Sequence, residues 1–594
     1  MKDHTVRTDS SNRVTISLEM RPNIRKADGG FAINLWRESK RIMPTIGTIR
    51  SMLGLAITRW FLFRAPAAFV ACLLSFLLVG VRAEAPAGSR APEVRLDQGV
   101  LSGSRYGAGV AAFLGIPYAA SPVGLLRWTS PQEPKPWPGI RDATYYRPAC
   151  PQLPSPWLPE MLGRKEMQTS EDCLYLNVWT PRLRSDASLP VMVWIHGGGN
   201  VEGSQEWPPL GPAVAAHGVV VVTINYRLGV LGYLAHPELS AESPDHISGN
   251  YGLLDQMAAL RWVKHNIRSF GGDPHRVTIF GASSGSLDIC DLMASPLAQG
   301  LFDRAIMQSG VCVDGLSPTL RQQEASGAAF AAKIIHEKNG PAIEQLRSVP
   351  ADELVRNAAK ADVDWNPIID TRVLPEQPLL VFQRGQQAKV PVIVGSNLDE
   401  VSIFASPLVG GKSYRPQTVT EYQSWLKRKF GNQADAVFQA YPAAQDSQVP
   451  AAFLAIDTDY SFGFGSHLLA REVAATGQNA YLYIFTMTGR GPFASLGAFH
   501  SLESMYLSKH YWTDWVSDSH DEPLSDAIIE YWTRFAANGD PSSASLPAWH
   551  PYRENNPDAQ ELGKHIGPVR VPRMDSMSVF LKVLEAQTES HATN

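Results

Sequence analysis

The chain has 594 residues, enough for several domains or for one large core with long insertions, and 44% of them are apolar, as in an ordinary globular protein. The formal net charge is −4, with 53 basic against 57 acidic residues and no long run of one sign. That excludes the clustered basic face a nucleic-acid-binding protein needs, and leaves a protein acting on small molecules.

In chain order, residues 1–51 read as a poorly defined, polar and mixed extension. Arg59 and Arg64 precede the apolar run Ala65 to Val81, which ends in Val81-Arg82-Ala83 before Glu84. A basic flank, a short apolar run and small residues near a cleavage point predict a secretory signal over 52–83, with Met52 as the expected translation start. The run falls short of the roughly 20 apolar residues of a spanning helix, so a secreted or periplasmic protein is favoured over a signal-anchored one, with no stable membrane span after cleavage. Cys72, preceded by Phe-Val-Ala and followed by more apolar residues, is not expected to carry a lipid. Cleavage removes it and leaves Cys150, Cys173, Cys290 and Cys312, an even number compatible with disulfides in an exported protein. No C-x-x-C pair or His-rich tract suggests a metal.

From about Val94 to Val571 the pattern becomes regular, with a tail at 572–594. Val191 to Ile195 and Val219 to Ile224 are short continuous apolar runs, which predict buried strands. Gly252 to Ile267 predicts an amphipathic helix, since Leu253, Leu254, Met257, Leu260, Val263 and Ile267 recur at helical spacing. Arg276 to Phe280 predicts a strand and Ser286 to Met293 a helix; Ala305 to Gln308, Val390 to Val394 and Tyr481 to Phe485 are further strands. Strands alternating with helices imply an α/β fold, a mostly parallel sheet covered on both faces. The Pro- and Gly-rich stretches 129–169 and 201–212 are expected to be surface loops or lids.

Two motifs carry chemistry. Gly281-Ala282-Ser283-Ser284-Gly285 joins a predicted strand to a predicted helix with G-x-S-x-G spacing. A turn that tight needs small residues beside the serine and presents its hydroxyl outward, so Ser283 is the candidate nucleophile. The helix start adds positive partial charge there. His196-Gly197-Gly198-Gly199 follows the earlier strand directly. Such a glycine run lets backbone amides approach a substrate oxygen, and Gly198, Gly199 and Ser284 are the candidate oxyanion donors.

With these motifs in order, the chain resembles the type-B carboxylesterase and cholinesterase family of α/β-hydrolases. The resemblance also rests on FLGIPYAASPVGLLRW at 113–128, SEDCLYLNVW at 170–179, INYRLGVLGYL at 224–234, GNYGLLDQ at 249–256 and WTRFAANGDP at 532–541. It implies ester hydrolysis through an acyl-enzyme, with a small-molecule ester as substrate and no cofactor or metal. The family's acid lies in a G-x-N-x-x-E pattern, matched by Glu400, with Asp399 the weaker neighbour; its histidine lies in G-A-x-H-x-x-E, matched by His500. The resemblance further implies a Cys150–Cys173 disulfide, ion pairs Arg127–Glu171 and Arg227–Asp255, and supporting polar positions at Ser309 and Glu503. Cys290 and Cys312 match nothing in it.

Two departures bear on substrate choice. Ala282 stands where the family usually has Glu, and Asn200 stands where an aromatic usually follows the glycines. The expected result is a roomier, less electronegative pocket with Asn200 at its mouth, suited to neutral or anionic esters, unless a carboxylate such as Glu202 restores the charge. Competing functions are a lipase or amidase on the same scaffold and a catalytically silent adhesion relative.

Overall fold

The computed structural model describes residues 91–155, 166–335, 340–404, 406, 415–511 and 518–592. The expected signal and extension lie outside them. Fourteen strands are described: β1 Glu93–Leu96, β2 Gly99–Ser102, β3 Ser104–Arg105, β4 Ala111–Pro117, β5 Ile140–Asp142, β6 Tyr175–Thr180, β7 Leu189–Ile195, β8 Val220–Ile224, β9 Gly272–Ala282, β10 Arg304–Gln308, β11 Val392–Asn397, β12 Ala480–Phe485, β13 Ala559–Leu562 and β14 Ile566–Val569. Eleven of them form one sheet in the order β14-β13-β12-β11-β10-β9-β7-β8-β6-β4-β3. The run from β13 to β8 is parallel throughout, and antiparallel partners close both ends. This is the mostly parallel sheet that the alternating elements imply, in the α/β-hydrolase arrangement that the resemblance implies.

The parallel strands are apolar on both sides because both faces are covered. Along β7, Val191, Val193 and Ile195 enter one core, while Met192 and Trp194 enter the other. The first core takes in α1 (Tyr251–Asn266) and α2 (Ser284–Ala294) through Leu253, Met257, Leu260 and Ile289. It also takes in Leu468 and Leu469 of α3 (Phe464–Ala475). The second holds Tyr506 of α4 (Leu502–Ser508) and Ile528, Trp532 and Phe535 of α5 (Asp521–Asn538).

The structure joins Cys150 to Cys173 and Cys290 to Cys312. Arg127 meets Glu171 and Arg227 meets Asp255 through paired guanidinium–carboxylate bonds of 2.6–2.7 Å. Within 572–594 lies α6 (Val579–Ala592), whose Phe580 is buried against Phe430, Tyr441, Tyr460 and Phe464. No helix among the described residues is long and apolar enough to cross a membrane.

Strand register is what positions the motifs. Ile195 is paired with Gly281, Ala282 with Gln308, Gln308 with Gly395, and Asn397 with Phe485. The glycine run, the serine turn and the acidic turn therefore all leave the sheet at its carboxyl edge, where ligands bind in open α/β sheets.

Candidate active site

Ser283 sits between β9 and α2 with φ 58° and ψ −130°, a conformation that costs a residue with a side chain about 1–3 kcal/mol. The surroundings over-determine it. Its amide donates to the Gln308 carbonyl (2.8 Å) on the next strand. A side chain at Gly281 would meet the Ile195 carbonyl oxygen at 2.5 Å, and one at Gly285 would overlap the same atom. Only glycines let strand and helix close around the serine in this way.

The glycine loop lies directly against that turn. A Cβ on Gly197 would fall 2.5 Å from the Ala282 carbonyl oxygen and 2.9 Å from Ser283 Cβ. Gly198, Gly199 and Asn200 follow with φ of 117°, 62° and 58°. His196 anchors the loop: burial holds its pKa down at about 4, so the ring is neutral and its Nδ1–H donates to the Gly197 carbonyl (2.9 Å). The ring also stacks on Tyr226, with centroids 4.5 Å apart. Among the described residues, the amides of Gly198, Gly199 and Ser284 have no acceptor.

Glu400 and His500 come together. His500 Nδ1 lies 2.6 Å from Glu400 Oε2, and the other carboxylate oxygen accepts from the Asn397 amide (2.7 Å). Nε2 of His500 is buried and has no hydrogen-bond partner among the described residues. Phe404 and Phe462 flank the imidazole, each with its centroid 5.0 Å away. The neighbouring Asp399 is turned elsewhere, accepting from the Ala498 amide (2.9 Å).

Behind these groups runs a buried polar network. Gln308 Nε2 donates to Glu503 Oε1 (3.0 Å) and Asn397 Nδ2 donates to Glu503 Oε2 (2.7 Å). Trp532 Nε1 donates to Gln308 Oε1 (3.1 Å). Burial, reinforced by the Glu400 charge, pushes the Glu503 carboxyl above its usual range. Ser309 is buried at the end of β10, its amide donating to Gly395. The sequence points to Ser309 and Glu503; it contains Gln308 and Asn397 inside the same QSG and G-x-N motifs, but their bridging requires the fold.

Asn200 corrects an expectation. Its side chain is 0% exposed and is no part of a pocket wall. Nδ2 donates to Asp288 Oδ1 (2.9 Å) and Asn366 Oδ1 (3.1 Å), and Oδ1 accepts from Tyr226 (3.2 Å). These carboxylate, amide and phenol partners suit the Asn side chain. Ala282 is likewise 4% exposed, within the second core. A carboxyl does lie beside the loop: the Glu202 amide donates to the Gly198 carbonyl (3.0 Å), and its Cγ is 3.0 Å from where a Gly198 Cβ would stand. Burial pushes that carboxyl's pKa up, with the Ser155 hydroxyl opposing.

A strained serine on a strand–helix turn, against a glycine loop, is the arrangement of a hydrolase elbow. The family model described as the carboxylesterase family matches residues 90–575. The chain belongs to the carboxylesterase family. The esterase is 38% identical over 498 residues to fumonisin B1 esterase of Sphingopyxis macrogoltabida, covering 81% of this chain and 89% of that one. It is 34% identical over 473 residues to carboxylesterase 1C of Mus musculus, covering 75% and 84% respectively. The solved structure of the Geobacillus stearothermophilus carboxylesterase EST55 superposes with a TM-score of 0.71 at 32% identity, covering 82% of this chain and 99% of that one. The protein is a carboxylic ester hydrolase, with small-molecule esters as its substrate class.

Proposed function

We propose that the esterase works through a Ser283–His500–Glu400 relay and an acyl-enzyme. Ser283 attacks the ester carbonyl as His500 Nε2 takes its proton. Glu400 holds Nδ1–H, fixing the tautomer and stabilising the imidazolium. The amides of Gly198, Gly199 and Ser284 receive the developing oxyanion, each donor contributing about 3–4 kcal/mol. His500 returns the proton to the leaving alcohol, and water repeats the cycle on the acyl group. The observation that carries this reading is the 2.6 Å bond between His500 and Glu400 at the sheet edge that also bears the Ser283 turn.

A fluorophosphonate probe tests it. Stoichiometric labelling of the native enzyme, lost in Ser283→Ala with the fold intact by circular dichroism, is the expected result; full ester turnover by Ser283→Ala defeats it. Fumonisin B1 belongs in the substrate panel because of the relative that carries its name, beside soluble short-chain esters, emulsified triglyceride and amides. Preference for soluble esters is the expected outcome. Export through the signal at 52–83 is part of the same proposal, supported by the two disulfides.

A further inference from the structure

We infer that Asp288 is a positioning residue for this reaction, fixing the glycine loop to the helix that carries the Ser284 amide; the inference rests on the oxyanion hole proposed above. Oxyanion donors come from two separate segments, the loop at 198–199 and the start of α2. Their amides must converge on one oxygen, and a misplacement of about 1 Å is enough to cost roughly a hundredfold in rate. Something has to hold the two segments in register.

Asn200 is the loop's fixed point. It follows two glycines of positive φ and itself has φ 58°, a left-handed region that Asn enters more readily than other residues with a side chain. Its bonds hold it there. The Asn200 amide donates to Ser284 Oγ (3.1 Å), and its carbonyl accepts from the Gly229 amide (2.6 Å). Its side chain reaches Asp288, Asn366 and Tyr226. Two of these ties run to α2, through Ser284 and Asp288. Asp288 is itself fully buried, and its second oxygen accepts from Gln256 Nε2 (2.5 Å) on α1. The carboxylate thus links the loop to both helices beneath it.

The chemistry of the link makes a sharp test. Asp288→Ala leaves a buried Asn200 N–H and a buried Gln256 amide without their acceptor and frees the loop. Asp288→Asn is different. Its carbonyl oxygen still accepts from Asn200, and its NH2 meets Gln256 once that amide is turned over, because Gln256 Oε1 is buried without a partner. A charge-neutral variant can therefore rebuild both bonds.

The experiment measures kcat and KM on a soluble ester for wild type, Asp288→Ala and Asp288→Asn, together with affinity for a trifluoromethyl ketone, whose tetrahedral adduct places an oxyanion in the hole. Asp288→Ala should lose at least roughly tenfold in kcat with KM nearly unchanged, and ketone affinity should fall in step. Asp288→Asn should recover most of both. Unchanged kcat in Asp288→Ala, or an equal loss in the two variants, overturns the inference. If Asp288→Ala does not fold, Asn200→Gly takes its place: glycine keeps the positive φ but cuts the tie, and undiminished kcat overturns the inference just as well. Retained turnover in Ser283→Ala would instead overturn the relay itself, so the two failures are distinct.

Discussion

Glu400 and Asp399 are adjacent carboxylates with different bonds, and this makes their roles separable. Glu400 holds the His500 ring, whereas Asp399 caps the Ala498 amide. Glu400→Gln is expected to lower kcat by roughly 10²- to 10⁴-fold through loss of the tautomer-fixing charge, and Asp399→Asn by a few-fold at most. Steady-state rates on one chromogenic ester decide it, and the reverse order would move the acid by one position. Glu202 places a carboxyl beside the glycine loop. Glu202→Gln should lower turnover of cationic relative to neutral esters; an unchanged ratio means that it contributes no useful field at the pocket. Asp288 gives a pH prediction. Burial pushes its pKa from 3.8 up to about 7, against the opposing bonds from Asn200 and Gln256. Between those values the folded protein keeps a proton that the unfolded chain has lost, so this group's contribution to stability is present at low pH and is lost as pH rises to about 7. Urea midpoints compared at the two ends of that window should therefore differ less in Asp288→Asn than in wild type. Ser283 and the glycines were legible in the sequence because their signal is local: a tight turn demands small residues at fixed spacing. The inward direction of Asn200 was not, because the partners that capture it lie 88 and 166 positions away.

At the level of elements, the buried parallel strands were the most readable part of the chain. Continuous apolar runs such as Val219 to Ile224 reflect cover on both faces, and the structure moves their ends by one or two residues in most cases. Strands β1 to β3, β5, β13 and β14 are only two to four residues long, so their pairing emerges only from the assembled sheets. The same holds for Cys290 and Cys312. Cys290 lies in α2, and Cys312 lies just after the Ser309-Gly310 turn that supports Ser283. This disulfide therefore clamps the serine's helix to the turn beyond β10. A closed loop with a sequence separation of 22 is worth about 3 kcal/mol by chain entropy. Replacing both cysteines by alanine should lower the denaturation midpoint correspondingly, as read by calorimetry, while far-UV circular dichroism stays native. An unchanged midpoint would mean that the bridge is absent from the folded protein.

On the scale of the whole molecule, one sheet with long insertions unites the described residues, so a length fit for several domains serves one site. Protein recovered outside the cytoplasm should begin near Glu84, and N-terminal sequencing that finds residues upstream of Met52 in that fraction would contradict export through this signal. The packing of α6 bears on how such a chain matures. Phe580 closes an aromatic hollow made by Phe430, Tyr441, Tyr460 and Phe464. On the ribosome those four rings emerge long before the residue that covers them. Between the synthesis of Phe464 and that of Phe580 the nascent chain therefore carries these rings without the side chain that closes them, and this hollow is completed only once α6 has been made. If the chain is exported as proposed, threaded unfolded through a channel, that interval would serve it, because exposed aromatic surface in an incomplete chain is also what chaperones bind.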